Sequence, residues 1–213
     1  MASNYAGGQY KEYTAMLRQR MSELPSFCAE FFRGIENETL VRTSCAYAGD
    51  LRNFFRFVTT ELPAFQGREV KSLTLSDLDA ISATEIEMYL AHVSYYTAED
   101  NREVVNQDRA KARKLSTIRS FYKYFCKKEK LKNNPPSLVD LPTIREKAII
   151  RLEPNEVAIL LDVVQSGDGL TEKQKKYHVR TQKRDLAILT LFLGTGIRIS
   201  ELVGIDMDDI NFS

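Results

Sequence analysis

Apolar residues recur at intervals of three and four through most of the chain, and alternation of the kind strands show is missing until its last residues. The pattern predicts a mainly helical protein. Tyr13, Leu17, Met21 and Leu24 set out a first helix. Pro25 suits the opening turn of a second, which carries Phe27, Phe31 and Phe32 and ends at Gly34 and Asn37. The clearest helix follows, with Leu40, Ser44, Tyr47, Leu51, Phe54, Phe55, Val58 and Leu62 on one face. Arg42, Thr43, Ala46, Asp50 and Arg52 lie on the other, and Pro63 closes it. A helix capped by Thr84 is expected from Ala83 to about Tyr95, with Ile86, Tyr89, Leu90 and Val93 inward. The polar residues 97–107 read as a loop. Leu115, Ile118, Phe121, Tyr122 and Phe125 then define a helix from about Arg109 to Lys128 whose basic residues face out.

This pattern breaks at Asn133-Asn134-Pro135-Pro136 and again at Pro142, because proline forces its predecessor out of the helical region. The expected organisation is a helical domain over 10–132, a linker over 133–150 and a second domain over 151–213. In the second, Glu153-Pro154 opens a helix bearing Val157, Leu160 and Leu161, and the basic segment 166–183 is expected to loop out. Asp185 to Leu193 is apolar on every side, the mark of a helix enclosed by a larger domain. Gly194-Thr195-Gly196 makes a turn, Ile199 to Val203 a short helix, and Ile205 to Phe212 reads as the entry to a strand.

With 43% hydrophobic and 28% charged residues the chain is ordinary for a globular protein, which excludes wholesale disorder. No window is long and apolar enough for a membrane span and no leader pattern opens the chain, so a cytoplasmic protein is expected. Cys28, Cys45 and Cys126 are far apart in apolar surroundings and read as free thiols. His92 and His178 stand alone, so neither a metal nor another cofactor is expected. The net charge of +1 conceals two basic segments. Between Arg102 and Lys132 eleven Lys and Arg face three acids, and between Thr171 and Arg184 six face one. That distribution is the footprint of a face that meets phosphates, although a solvated helix face carries the same charges.

Arg198 and Glu201 are the residues with the most specific chemistry. A guanidinium is a planar fork that binds two non-bridging phosphate oxygens at once. Three residues on, Glu201 shares a helix face with Arg198 and can fix its rotamer. Spacing alone favours an ordinary helix salt bridge. The whole stretch from Arg184-Asp185-Leu186-Ala187-Ile188 through Leu193-Gly194-Thr195-Gly196-Ile197-Arg198-Ile199-Ser200-Glu201-Leu202, however, resembles the first arginine box of the tyrosine site-specific recombinases, the phage integrase and Xer family. Upstream, Thr39 to Phe54 is similar to the Tyr-x-x-Asp-Leu-x-x-Phe helix of that family's core-binding domain. Arg113 to Tyr124 is similar to its second DNA-facing helix, and Asn134-Pro135 to the linker that follows.

The resemblance implies a mainly α fold: a four-to-five-helix, SAM-like core-binding bundle, a linker, and the beginning of an α/β catalytic domain. It implies that Arg198 holds the scissile phosphate and Glu201 buttresses it, and that Arg42, Thr43, Arg113, Lys114, Ser116, Thr117, Arg119 and Lys123 contact DNA. The implied partners are a double-stranded recombination site and, for a full-length enzyme, three further copies in a homo-tetramer that cuts through a 3′-phosphotyrosyl intermediate without metal or nucleotide. Tyr47, Phe54 and Phe121 are expected in the core. The family also requires a lysine on a β-hairpin, a His-x-x-Arg pair, a His or Trp and a tyrosine nucleophile after its arginine. All ten tyrosines here precede Arg198, so the chain is expected to bind DNA without cleaving it. It is also expected to lack a separate arm-binding domain ahead of residue 10. Segment 166–183 is longer than the family's usual connection and suggests an added DNA or partner contact. A non-catalytic DNA-binding regulator derived from a recombinase is the alternative function. A helical protein-interaction domain with incidental basic faces is a third.

Overall fold

The computed structural model describes residues 2–97, 101–144 and 150–211, with side chains from residue 7 onward. The fold is mainly helical, and two compact units divide the chain, one Asn4–Arg145 and the other Glu146–Ser213 together with Met1–Ser3.

In the first unit the predicted periodicities become α1 (Ala2–Met21), α2 (Cys28–Ile35), α3 (Val41–Glu61) and α6 (Asp108–Lys127). Two short helices lie between them, α4 (Leu75–Asp79) and α5 (Ala83–His92), of which α4 carries too little pattern to predict. Reciprocal capping boxes start both, Thr74 with Asp77 and Ser82 with Glu85, so Ser82 and not Thr84 caps α5. The apolar faces of α2, α3, α5 and α6 meet in one core. Its centre is a set of edge-on rings: Phe121 lies 5.0 Å from both Phe31 and Phe125 and 5.9 Å from Phe55, centroid to centroid. Phe54 and Phe121 are buried as expected, and Tyr47 packs half-buried at the margin.

Residues 97–107 are not simply a loop. After α5 ends at His92, Tyr95–Thr97 (β1) pairs antiparallel with Glu103–Val105 (β2), and the Tyr95 hydroxyl donates to Glu103 across the ladder at 2.7 Å. The expected linker also begins as structure. Pro135–Leu138 forms a tight helical turn, Pro135, Pro136 and Val139 are buried, and the Lys132 and Asn133 amides donate to Asp79. Its later residues 145–149 lie outside the described ones.

The second unit contains α7 (Pro154–Ser166), α8 (Glu172–Thr195) and α9 (Ile199–Val203). Three expectations change here. The basic segment 166–183 loops out only as far as Leu170. Thr171 then caps α8, accepting from the Gln174 amide, and the basic residues form the first half of one continuous helix. The apolar stretch Asp185 to Leu193 is its second half, yet no residue of α8 is buried among the described residues. The expected strand after Ile205 is a tight helical turn at Met207–Asp209, with Phe212 outside the described residues. Gly167 and Gly196 close α7 and α8 with φ of 74° and 65°, a conformation that costs glycine least.

Candidate nucleic-acid interface

The first unit's most unusual side chain is Asp50, in the middle of α3, which is 2% exposed. A carboxylate that deep needs partners. Four donor atoms from the facing helix α6 supply them: both terminal nitrogens of Arg113, one at 2.8 Å and the other in very short contact, Lys114 Nζ at 3.4 Å and Thr117 Oγ1 at 2.9 Å. Burial pulls the Lys114 ammonium pKa down, and the Asp50 charge opposes that. The cluster binds α3 to α6 and fixes the rotation of α6 about its own axis.

Half of the Arg113 side chain remains exposed above the cluster, at the edge of a bowl lined also by Arg20, Ala46, Gly49, Arg52, Arg56, Tyr96 and Arg102. Its lining combines two small residues, Ala46 and Gly49, with five arginines and Lys114. A Cβ at position 49 would lie 3.1 Å from Arg20 Nη1, which crosses α3 to donate to the Cys45 carbonyl at 2.7 Å, so glycine there leaves the guanidinium room. Arg52 pairs with Glu23 at 3.0 Å on the rim.

With α6 fixed in this way, the residues it turns outward form one row at helical spacing: Arg109, Arg113, Ser116, Lys123 and Lys127, all exposed. Arg113, Ser116 and Lys123 of the expected DNA-facing set lie in this row. Lys114 and Thr117 do not: the outward orientation expected of the basic residues of this helix fails at Lys114, and both side chains are buried, 5% and 0% exposed, and point at Asp50. Arg119 turns the other way, donating to the Pro136 and Val139 carbonyls, and so holds the start of the linker. Arg42 and Thr43 are exposed at the start of α3, with the Arg42 guanidinium 5.7 Å from the Tyr13 ring. Arg20, Arg56, Arg102, Arg109 and Lys127 were not among the expected contacts. The local excess of base flagged Arg102, Arg109 and Lys127. Arg20 and Arg56 carry no signal, because only the fold brings them to the bowl.

In the second unit, Arg198 is the residue from which α9 starts. Its side chain is 80% exposed and donates from Nη1 to Glu201 Oε1 at 2.9 Å, while its backbone N–H donates to Glu201 Oε2, also at 2.9 Å. Those bonds, the backbone one foremost, hold the Glu201 carboxyl below its ordinary range. The acid thus grips the arginine twice and leaves the remaining guanidinium N–H groups facing solvent.

No group of three or more candidate metal ligands occurs among the described residues. Cys28 and Cys45 are buried free thiols, Cys126 is a half-buried one, and burial pushes the Cys28 thiol well up. His92 packs against Phe57 and Tyr96, and His178 meets the Val164 carbonyl at 2.8 Å. No described helix is long and apolar enough to cross a membrane.

Curated relatives agree with the resemblance. The chain is 34% identical over 173 residues to the tyrosine recombinase XerC of Caldanaerobacter subterraneus subsp. tengcongensis, a match covering 78% of this chain and 43% of that protein. It is 29% identical over 175 residues to XerC of Chlorobaculum tepidum, covering 80% and 48% respectively. It is 26% identical over 179 residues to the tyrosine recombinase XerD of Shewanella oneidensis, covering 84% and 48%. No protein-family profile and no solved structure matches. The chain belongs to the tyrosine recombinase family. Within it the relatives are of Xer type, and the chain spans less than half of their length.

Proposed function

We propose that this chain binds duplex DNA through the exposed α6 row and the adjoining bowl, and that its role belongs to site-specific recombination. The observation that carries the reading is the buried Asp50 cluster, which turns Arg109, Arg113, Lys123 and Lys127 to one side of the unit. Cations so arranged contact phosphates, which set register and orientation, while Ser116 within the row and the exposed Thr43 of α3 offer hydroxyls to base edges or phosphate oxygens. Arg42 extends the contact.

In a protein of the relatives' full length, Arg198 holds two oxygens of the scissile phosphate and stabilises the charge that grows on them during transesterification, with Glu201 fixing the guanidinium beforehand. The hydroxyl that attacks belongs to a tyrosine, giving a 3′-phosphotyrosyl link, and four copies act on two DNA sites without metal or nucleotide. The 213 residues hold no tyrosine after Arg198, so this chain alone binds without cleaving.

Binding to a short duplex measured over a range of salt tests the first part. Affinity should fall steeply as salt rises, and Arg109→Gln with Lys123→Gln should lower the log–log slope by about two, since each phosphate contact accounts for roughly 0.9. Binding indifferent to salt would overturn the reading. For the second part, a nicked suicide duplex should form no covalent adduct with this chain. In a full-length protein, Arg198→Lys should leave site binding intact and reduce cleavage on the order of a hundredfold or more. Undiminished cleavage would remove Arg198 from that role.

A further inference from the structure

We propose that the N-terminal half of α8 is a second DNA surface, a row of cations that follows the phosphate backbone of a duplex. The proposal rests on the DNA-binding reading above and adds a contact in the second unit. Two residues four apart set the rotation of this helix: His178 meets the Val164 carbonyl, and the Gln182 side-chain amide donates to the Gln165 carbonyl, so both face α7. At 100° per residue, Lys173, Lys176, Arg180 and Lys183 fall on the opposite side, spaced by three, four and three. All four are exposed.

Acids do not quench this row. Glu172 is taken by Lys175 at 3.0 Å and Asp185 by Arg184 at 2.7 Å, and none of the four row cations has an acidic partner among the described residues. A helix face that only needs solubility mixes both signs, as neighbouring opposite charges stabilise it. This face does not. Beyond Lys183 the same row continues as Ala187, Thr190 and Gly194, so the charge is confined to the eleven residues 173–183, about 15 Å of helix from first to last at 1.5 Å per step. That length matches the axial rise of roughly four successive phosphates on one strand at 3.4 Å each.

The row fits a polyanion of regular spacing better than a membrane. A helix that lies on lipid needs a continuous apolar face beside its cations. Here the side opposite the row packs on α7, and the exposed Tyr177 and Val179 stand on different flanks. Lys183 also lies twelve residues, about 18 Å, before the end of α8 at Thr195, after which Gly196 turns the chain into Arg198. The row would therefore hold phosphates other than the one at Arg198.

The experiment compares three forms of the whole chain on one duplex across a salt series: the chain itself, the quadruple variant Lys173→Gln, Lys176→Gln, Arg180→Gln and Lys183→Gln, and the charge-keeping variant Lys173→Arg, Lys176→Arg and Lys183→Arg. Glutamine and arginine are both good helix formers, and unchanged circular dichroism checks that α8 persists. The quadruple variant should lose about two to four units of salt slope and bind at least about tenfold more weakly near 0.1 M salt. The arginine variant should match the parent. If the parent binds and the quadruple variant keeps its slope within one unit, the α8 row is refuted while the α6 interface stands. Should the arginine variant weaken as much as the quadruple one, the effect is not one of charge and the proposal also fails. A parent that does not bind duplex DNA at all overturns both readings together.

Discussion

Asp50 shows how little of an interface a local reading can contain. Its partners lie more than sixty residues away, and nothing near position 50 announces them. The sequence places Lys114 on a basic helix and so invites an outward orientation. The structure turns it inward because α3 offers a buried carboxylate at that point. Arg198 and Glu201 are the opposite case, three residues apart on one short helix, and their contact is legible from spacing. The Asp50 cluster should behave as a buried pair does: removing one charge strands the other. Asp50→Asn is expected to cost about 3 to 5 kcal/mol in chemical denaturation. In a Lys114→Met background the same change should cost at least about 1 kcal/mol less, because no ammonium is then left without its acid. Equal costs in both backgrounds would mean that Lys114 draws nothing from Asp50.

At the scale of elements, long amphipathic helices were legible, whereas the five-residue α4 and the highly charged first half of α8 were not. Helices α3 and α6 declare themselves because each buries a full apolar stripe. The first half of α8 has no such stripe. Its helix is specified by the Thr171 cap and by residues of good intrinsic propensity, Glu, Lys, Gln and Arg, so a search for hydrophobic period reads it as loop. The β1–β2 hairpin has three residues a side, too few for alternation to register. Close approach of elements leaves a plainer mark in one glycine. Gly34 lies under the Tyr124 ring where α2 meets α6, and a Cβ would overlap that ring, whose hydroxyl donates to the Glu30 carbonyl at 3.2 Å. An aromatic ring packed edge-on to Phe31 and Phe125 has little room to yield. Gly34→Ala should therefore cost about 1 to 3 kcal/mol despite alanine's better helix propensity. With Tyr124→Ala present the same substitution should become neutral or favourable in thermal or denaturant unfolding. A penalty that survives the loss of the ring would place its cause elsewhere.

Across the whole molecule, apolar content and buried core are unevenly matched. The first unit encloses a core of some two dozen side chains. In the second unit Gly167 alone is buried among the described residues, and Ile159, Val163, Leu193, Ile199 and Val203 are exposed. The sequence predicts burial for the apolar half of α8, and that prediction concerned what such a helix requires, whereas this chain supplies little around it. Local stability follows buried apolar contacts, so the two units should open independently and at very different rates. Backbone amides in α3 and α6 are expected to exchange with deuterium at least about a hundredfold more slowly than those in α7 and α8, near the limit set by global unfolding. Limited trypsin digestion should cut first after the exposed bases of α8 and leave a resistant core ending near the linker. Comparable protection in α6 and α8 would show that the second unit holds together by contacts these residues do not display. Because a ligand stabilises only the segments it engages, adding duplex DNA should slow exchange in the α6 row and, if the α8 cations meet phosphates, in residues 172–184 as well. Protection confined to α6 would restrict the DNA contact to the first unit.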